Sequence, residues 1–158
     1  ALSWLPAHAQ SGPVGIGFVQ AEEGTWWCRS ADSAKAFACA RDKCRAAAGG
    51  QECHDMRWCG LAAWSGMMII WLPEFHSTSI ICGAPSEAAA TAALKALCDN
   101  DEVVTRCQVT AIIDPEGKER LLEGLSWPGP TATEMAPDES GEPPANPDPP
   151  ADKGPTVE

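Results

Sequence analysis

Cys28-Arg29-Ser30-Ala31-Asp32-Ser33-Ala34-Lys35-Ala36-Phe37-Ala38-Cys39-Ala40-Arg41-Asp42-Lys43-Cys44 and Cys82-Gly83-Ala84-Pro85-Ser86-Glu87-Ala88-Ala89-Ala90-Thr91-Ala92-Ala93-Leu94-Lys95-Ala96-Leu97-Cys98 are two copies of one pattern. In each, a cysteine leads through a short polar turn into an alanine-rich run that closes on a second cysteine. A third follows at Cys53 and Cys107. The intervals are 16 and then 9 in both copies, and the offset is 54 throughout (82 − 28, 98 − 44, 107 − 53). Asp32 and Ser86 occupy the same repeat position, and both side chains can accept from the unpaired amides of a first helical turn. Ala34, Ala36 and Ala38 fall on Ala88, Ala90 and Ala92. Matching intervals, caps and alanines together read as an internal duplication.

The flanking segments read as strands. Residues 14–20 and 25–28 predict a hairpin around Glu22-Glu23-Gly24, and 53–58 a strand after the first helix. In the second copy, 61–64 and 67–72 precede 79–82, and 107–113 follows the second helix. Each unit is β-β-α-β. The fold class is therefore α+β, an antiparallel sheet carrying two alanine-rich helices, with units at about 14–59 and 60–114. Leu121, Leu122 and Leu125 stand at near-helical spacing and predict a short closing helix over 118–127, which ends a domain beginning near residue 10.

Both ends differ in character from this domain. Ala7-His8-Ala9 is a small-x-small pattern, so residues 1–9 read as a signal-peptide remnant cleaved before Gln10, with an irregular N-terminal arm as the alternative. Residues 128–158 hold nine prolines, seven acids and one lysine, and predict a disordered acidic tail that cannot bury enough surface to offset its ordering entropy. The longest apolar stretch, residues 60–73, is shorter than the roughly 20 residues of a membrane-spanning helix. The net charge of −11 repels phosphate backbones, which argues against nucleic acid and anionic membrane as partners.

Eight cysteines in 158 residues predict a disulfide framework in an oxidising compartment. Each helix ends at a cysteine and the returning strand starts nine residues later, which predicts Cys44–Cys53 and Cys98–Cys107. Cys28, Cys39, Cys59 and Cys82 then remain, with three pairings open. Cys28–Cys82 with Cys39–Cys59 is preferred because it joins equivalent positions of the two copies. A competing metal or thiol site would draw on Cys39, Cys44, Cys53, His54 and Cys59. No Cys-x-x-Cys pair is present, and the spacing fits neither a zinc ribbon nor a redox motif, so no metal or cofactor is expected.

Nothing in the sequence assembles a catalytic set. His54 and His76 lack a nucleophile elbow or comparable motif, so no catalytic residue is assigned. Gly15-Ile16-Gly17 lies inside a strand and lacks the third glycine of a phosphate loop. The acidic clusters Glu22-Glu23 and Asp99-Asn100-Asp101-Glu102 lack the order of a calcium loop and read as solvated turns.

Met67-Met68-Ile69-Ile70-Trp71-Leu72 stands apart. Strand side chains alternate faces, so six bulky apolar residues in succession cannot all enter one side of a two-layer fold. Half must meet something else: the leucines of the closing segment, a second copy, or another protein.

Gly15-Ile16-Gly17-Phe18, the alanine helix ending at Cys44, and Cys53 leading to Cys59-Gly60-Leu61-Ala62-Ala63-Trp64 resemble the small secreted bacterial domain-of-unknown-function family 4189. The resemblance spans about residues 14–113 and is most specific at Cys59-Gly60-x-Ala62. It implies export and a duplicated α+β fold, and supplies no catalytic residues. The chain departs from the family in its Met67–Leu72 strip, the excursion that follows it, and its larger number of cysteines. The resulting expectation is an exported, non-enzymatic interaction module that meets a protein partner or a second copy through residues 67–72. Metal or thiol handling around Cys39, Cys53, His54 and Cys59 is the alternative, and a hydrolase a distant third.

Overall fold

The computed structural model describes residues 12–49, 52–121 and 124–131. The expected signal-peptide remnant, and the tail from residue 132 onward, lie outside the described residues. The first unit comprises β1 (Gly15–Ala21), β2 (Gly24–Ser30), α1 (Ser33–Ala47) and β3 (His54–Cys59). The second comprises β4 (Trp64–Trp71), β5 (His76–Ala84), α2 (Glu87–Asp99) and β6 (Arg106–Ile113). Two short strands follow, β7 (Glu119–Leu121) and β8 (Ser126–Pro128).

Both helices begin where their caps predict. The Asp32 carboxylate accepts from the Lys35 amide at 3.2 Å, and the Ser86 hydroxyl from the Ala89 amide at 3.1 Å. Each helix buries one stripe at spacings of four: Ala36, Ala40 and Cys44 on α1, and Ala90, Leu94 and Cys98 on α2. The stripes are equivalent under the 54-residue offset, so the helices pack alike.

The eight described strands build two antiparallel sheets, not the single sheet expected from the sequence. One has the order β2-β1-β3; the other has β5-β4-β6-β7, with β8 also on β6. The reason lies in the strand faces. Ile16 and Phe18 of β1 are buried against Met67, Ile80, Ala111 and Ile113 of the second sheet, while Val19 and Ala21 turn to α1. Met68, Ile70 and Val109 turn to α2. Each sheet is therefore apolar on both faces, and the layers stack α1, first sheet, second sheet, α2.

The duplication reaches into fine geometry. β1 slips register between Phe18 and Val19, and β4 between Met67 and Met68, the same place in each unit. Gly17 and Gly66 precede these slips. A Cβ on Gly17 would stand 3.2 Å from Ala36, and one on Gly66 2.9 Å from Leu94, so both glycines let a helix close onto its sheet.

The closing helix expected over 118–127 is not formed. Asp114 caps a turn through the amides of Glu116 and Lys118, Gly117 takes φ 85°, and the chain returns along β6 as β7. Gly124, at φ 84°, turns it again into β8 on the other end of β6. Leu125 and Trp127 both pack toward α2, a two-residue period that only an extended segment gives. Leu122 lies outside the described residues. The tail boundary also moves: Gly129 and Thr131 donate backbone hydrogen bonds to the Thr105 and Val104 carbonyls, so residues 128–131 belong with the domain and not with the tail expected from residue 128.

Candidate binding surfaces

Four disulfides join Cys28–Cys39, Cys44–Cys53, Cys59–Cys82 and Cys98–Cys107. The two within-unit bridges expected from the spacing are present. The preferred pairing of the other four cysteines is overturned. Gly17 pairs with Cys28 across β1 and β2, whereas Gly66 pairs with Ile81, because β4 and β5 slip between Trp64 and Gly66. Ile81 is thus the spatial counterpart of Cys28, and Cys82 has moved to the opposite face of its sheet. Cys28 faces α1 and finds Cys39; Cys82 faces the first sheet and finds Cys59.

These bridges also take apart the cluster on which the alternative metal or thiol reading rested. Cys39, Cys53 and Cys59 each belong to a different disulfide, and no cysteine is left free. Among the described residues no group of histidine, cysteine and carboxylate side chains is placed to hold a metal. His54 is exposed on β3 with Glu52 3.8 Å away, and His76 opens β5 beside the Trp71 ring. Neither of these neighbours is a hydroxyl or thiol that the histidine could activate.

The Met67–Leu72 strip divides among three environments. Met67 enters the layer between the sheets, while Met68 and Ile70 enter the α2 core, so these three cannot meet a partner in the folded chain. Ile69, Trp71 and Leu72 remain half-buried. The expected contact surface over residues 67–72 is thus largely core. Strand alternation sends Met67 and Met68 in opposite directions, and a sheet covered on both faces accepts a continuous apolar run.

What the strip leaves at the surface is an edge. Among the described residues β5 pairs only with β4, so its other side carries unpaired backbone groups. Its nine residues, His-Ser-Thr-Ser-Ile-Ile-Cys-Gly-Ala, contain no acid, lysine, arginine or proline. The Ile80 carbonyl points outward, accepting from Arg57 at 2.8 Å, and strand geometry aims Thr78 the same way. Two adjoining hollows of about 350 and 470 Å³ run along this edge and share Ser79 and Leu97. Leu97 of α2 and Phe75 flank one side, and Met56 of β3 the other. They are 42%, 63% and 37% exposed, three of the largest exposed apolar side chains described. Sequence reading missed all three, because each stands alone in the chain and only the fold brings them to one strand edge.

The two sheets are held together by polar contacts as well as by Cys59–Cys82. Gln20 donates to the Thr78 hydroxyl, Trp27 to the Glu119 carboxylate, and Arg29 to the Pro115 carbonyl. Arg41 and Asp55 pair at 2.6 Å between α1 and β3. No described helix is long and apolar enough to cross a membrane. Four disulfides fit an oxidising environment. Comparison with protein-family models, with curated proteins and with solved structures finds no match to this chain.

Proposed function

We propose that this chain is an exported, non-enzymatic binding module that captures an extended protein segment by adding it as a strand to β5. The observation that carries this reading is the β5 edge: nine residues without a charge or proline, with no strand on one side, where the Arg57 side chain reaches the Ile80 carbonyl, and bordered by exposed Phe75, Leu97 and Met56. Sheet edges of that length are ordinarily blunted by charge, proline or cover. An added strand would hydrogen-bond to the outward groups of Thr78 and to the Ile80 amide, and would take the Ile80 carbonyl from Arg57. Its alternate side chains would meet Phe75 and Leu97 on one face and Met56 on the other. The net charge of −11 favours an uncharged or basic segment over an acidic one.

Export is supported by the four disulfides, by the Ala7-His8-Ala9 pattern, and by the resemblance to the secreted family 4189. The same features support a periplasmic or secreted location. Residues 132–158 would then act as a spacer beyond the module.

The test is amide hydrogen exchange with and without a lysine-flanked peptide of alternating valine and threonine. The expected result is slower exchange at Thr78 and Ile80, abolished when alternate peptide nitrogens are methylated. Unchanged exchange along β5 at saturating peptide would sink the reading. Slowing that depends on protein concentration alone would make a second copy the occupant.

A further inference from the structure

The open end of the sandwich holds a second candidate site, which meets the β5 edge at Thr78 alone. A cleft of about 260 Å³ lies between the β1–β2 turn and the inner face of the second sheet. Its floor is apolar, formed by Met67, Ile69 and Ala111. Glu23 lines it from the turn and Glu119 from β7, on opposite layers of the sandwich. Among the described residues no ion pair involves either carboxylate. Glu119 is instead held by the Trp27 indole, which donates to it at 3.2 Å and fixes its position without neutralising it. Thr78 adds a hydroxyl that accepts from Gln20 at 3.0 Å, leaving its own proton to donate.

An apolar floor beneath two unneutralised carboxylates on opposite walls suits one ligand chemistry. We propose that this cleft binds a small primary ammonium ion carrying a short apolar chain. The chain lies on Met67 and Ile69, and the ammonium group sits between Glu23 and Glu119. The volume admits a body of about six carbons and excludes a folded partner. The acidic surface raises the local concentration of cations, and low-dielectric walls strengthen their attraction at the mouth. An anionic ligand meets two like charges; a neutral one gains only the floor.

The experiment titrates the intact chain with hexylammonium chloride, hexan-1-ol and sodium hexanoate, following the Met67 and Ile69 methyl resonances by NMR. Hexylammonium is expected to shift both methyls saturably, with the alcohol at least tenfold weaker and the carboxylate weaker still. Glu23→Gln and Glu119→Gln should each weaken hexylammonium several-fold, and added salt should weaken it further. Both residues are exposed or at the rim, and unchanged thermal unfolding verifies that each variant folds. The wild-type ranking of the three ligands tests the idea without any substitution. Unmoved methyls, equal affinity for the three ligands, or undiminished binding in folded variants would overturn it.

Discussion

Gly66 pairs across the sheet with Ile81 and not with Cys82, and this single step turns the Cys82 sulfur toward Cys59 on the facing sheet. The equivalent glycine of the first unit, Gly17, pairs with Cys28, whose sulfur turns to α1. Two cysteines that align in sequence therefore serve different ends. One fastens a helix to its own sheet; the other fastens the two copies together. The first unit carries an extra internal staple, and the second gives its cysteine to the interface.

That difference is readable by digestion without reduction. Trypsin has no site between residues 58 and 95, so Cys59 and Cys82 fall in one peptide. The expected mass spectrum shows 58–95 alone, two hydrogen atoms lighter than its reduced form. The peptide ending at Arg29 should appear joined to 36–41 through Cys28–Cys39. A crosslink from 58–95 to either of those peptides would contradict the register described here.

Removing the sheet-to-sheet bridge should cost more than removing one at a helix end. Cys59 and Cys82 enclose a separation of 23, against 9 for Cys44 and Cys53. Loop entropy then predicts a loss of about 3.4 kcal/mol for the Cys59→Ala, Cys82→Ala pair and about 2.6 kcal/mol for Cys44→Ala, Cys53→Ala. Urea unfolding of both double variants measures the order, which the reverse ranking would refute.

The duplication, both helices with their caps, and two of the four bridges were legible because each depends on spacing within one short segment. Asp32 and Ser86 could be read as caps from residue type alone. The face on which Cys82 emerges depends on a register slip at Trp64–Gly66, which no local pattern announces. The closing strands were hidden for a related reason: Leu121, Leu122 and Leu125 suit a helix, but Gly117 and Gly124 at positive φ impose turns. The β5 edge was illegible because Met56, Phe75 and Leu97 come from three separate elements.

The caps make a direct energetic prediction. Asp32→Ala and Ser86→Ala each leave a first-turn amide without its acceptor and should each cost about 1 kcal/mol. They sit on different helices, so the double variant should lose the sum to within about 0.5 kcal/mol. Thermal unfolding of the two singles and the double checks both statements.

Ala63 offers a stabilising change. It takes φ 40°, the one non-glycine at positive φ among the described residues, where the chain passes from one unit to the next. Its neighbour Ala62 fixes that crossing: its amide donates to Val14, and its carbonyl accepts from Gly83 and Ser65. A Cβ in the left-handed region is strained, so Ala63→Gly should gain about 0.5–1 kcal/mol after the entropy cost of glycine. A loss of stability on denaturant titration would show that the crossing is relaxed as it stands.

Charge placed along the apolar strip and its edge should separate core from surface. Ile70 is 8% exposed within the α2 cluster, so Ile70→Asp buries a carboxylate and should cost at least about 3 kcal/mol. Phe75 and Leu97 are 63% and 42% exposed, so Phe75→Asp and Leu97→Glu should each stay within about 0.5 kcal/mol of the parent. The same two variants should lose the peptide-dependent protection of Thr78 and Ile80, since each puts a hydrated charge where an added strand would lay an apolar side chain. Calorimetry with the valine–threonine peptide measures the loss in folded protein. Full binding by both variants would mean that the apolar flanks of β5 take no part in docking.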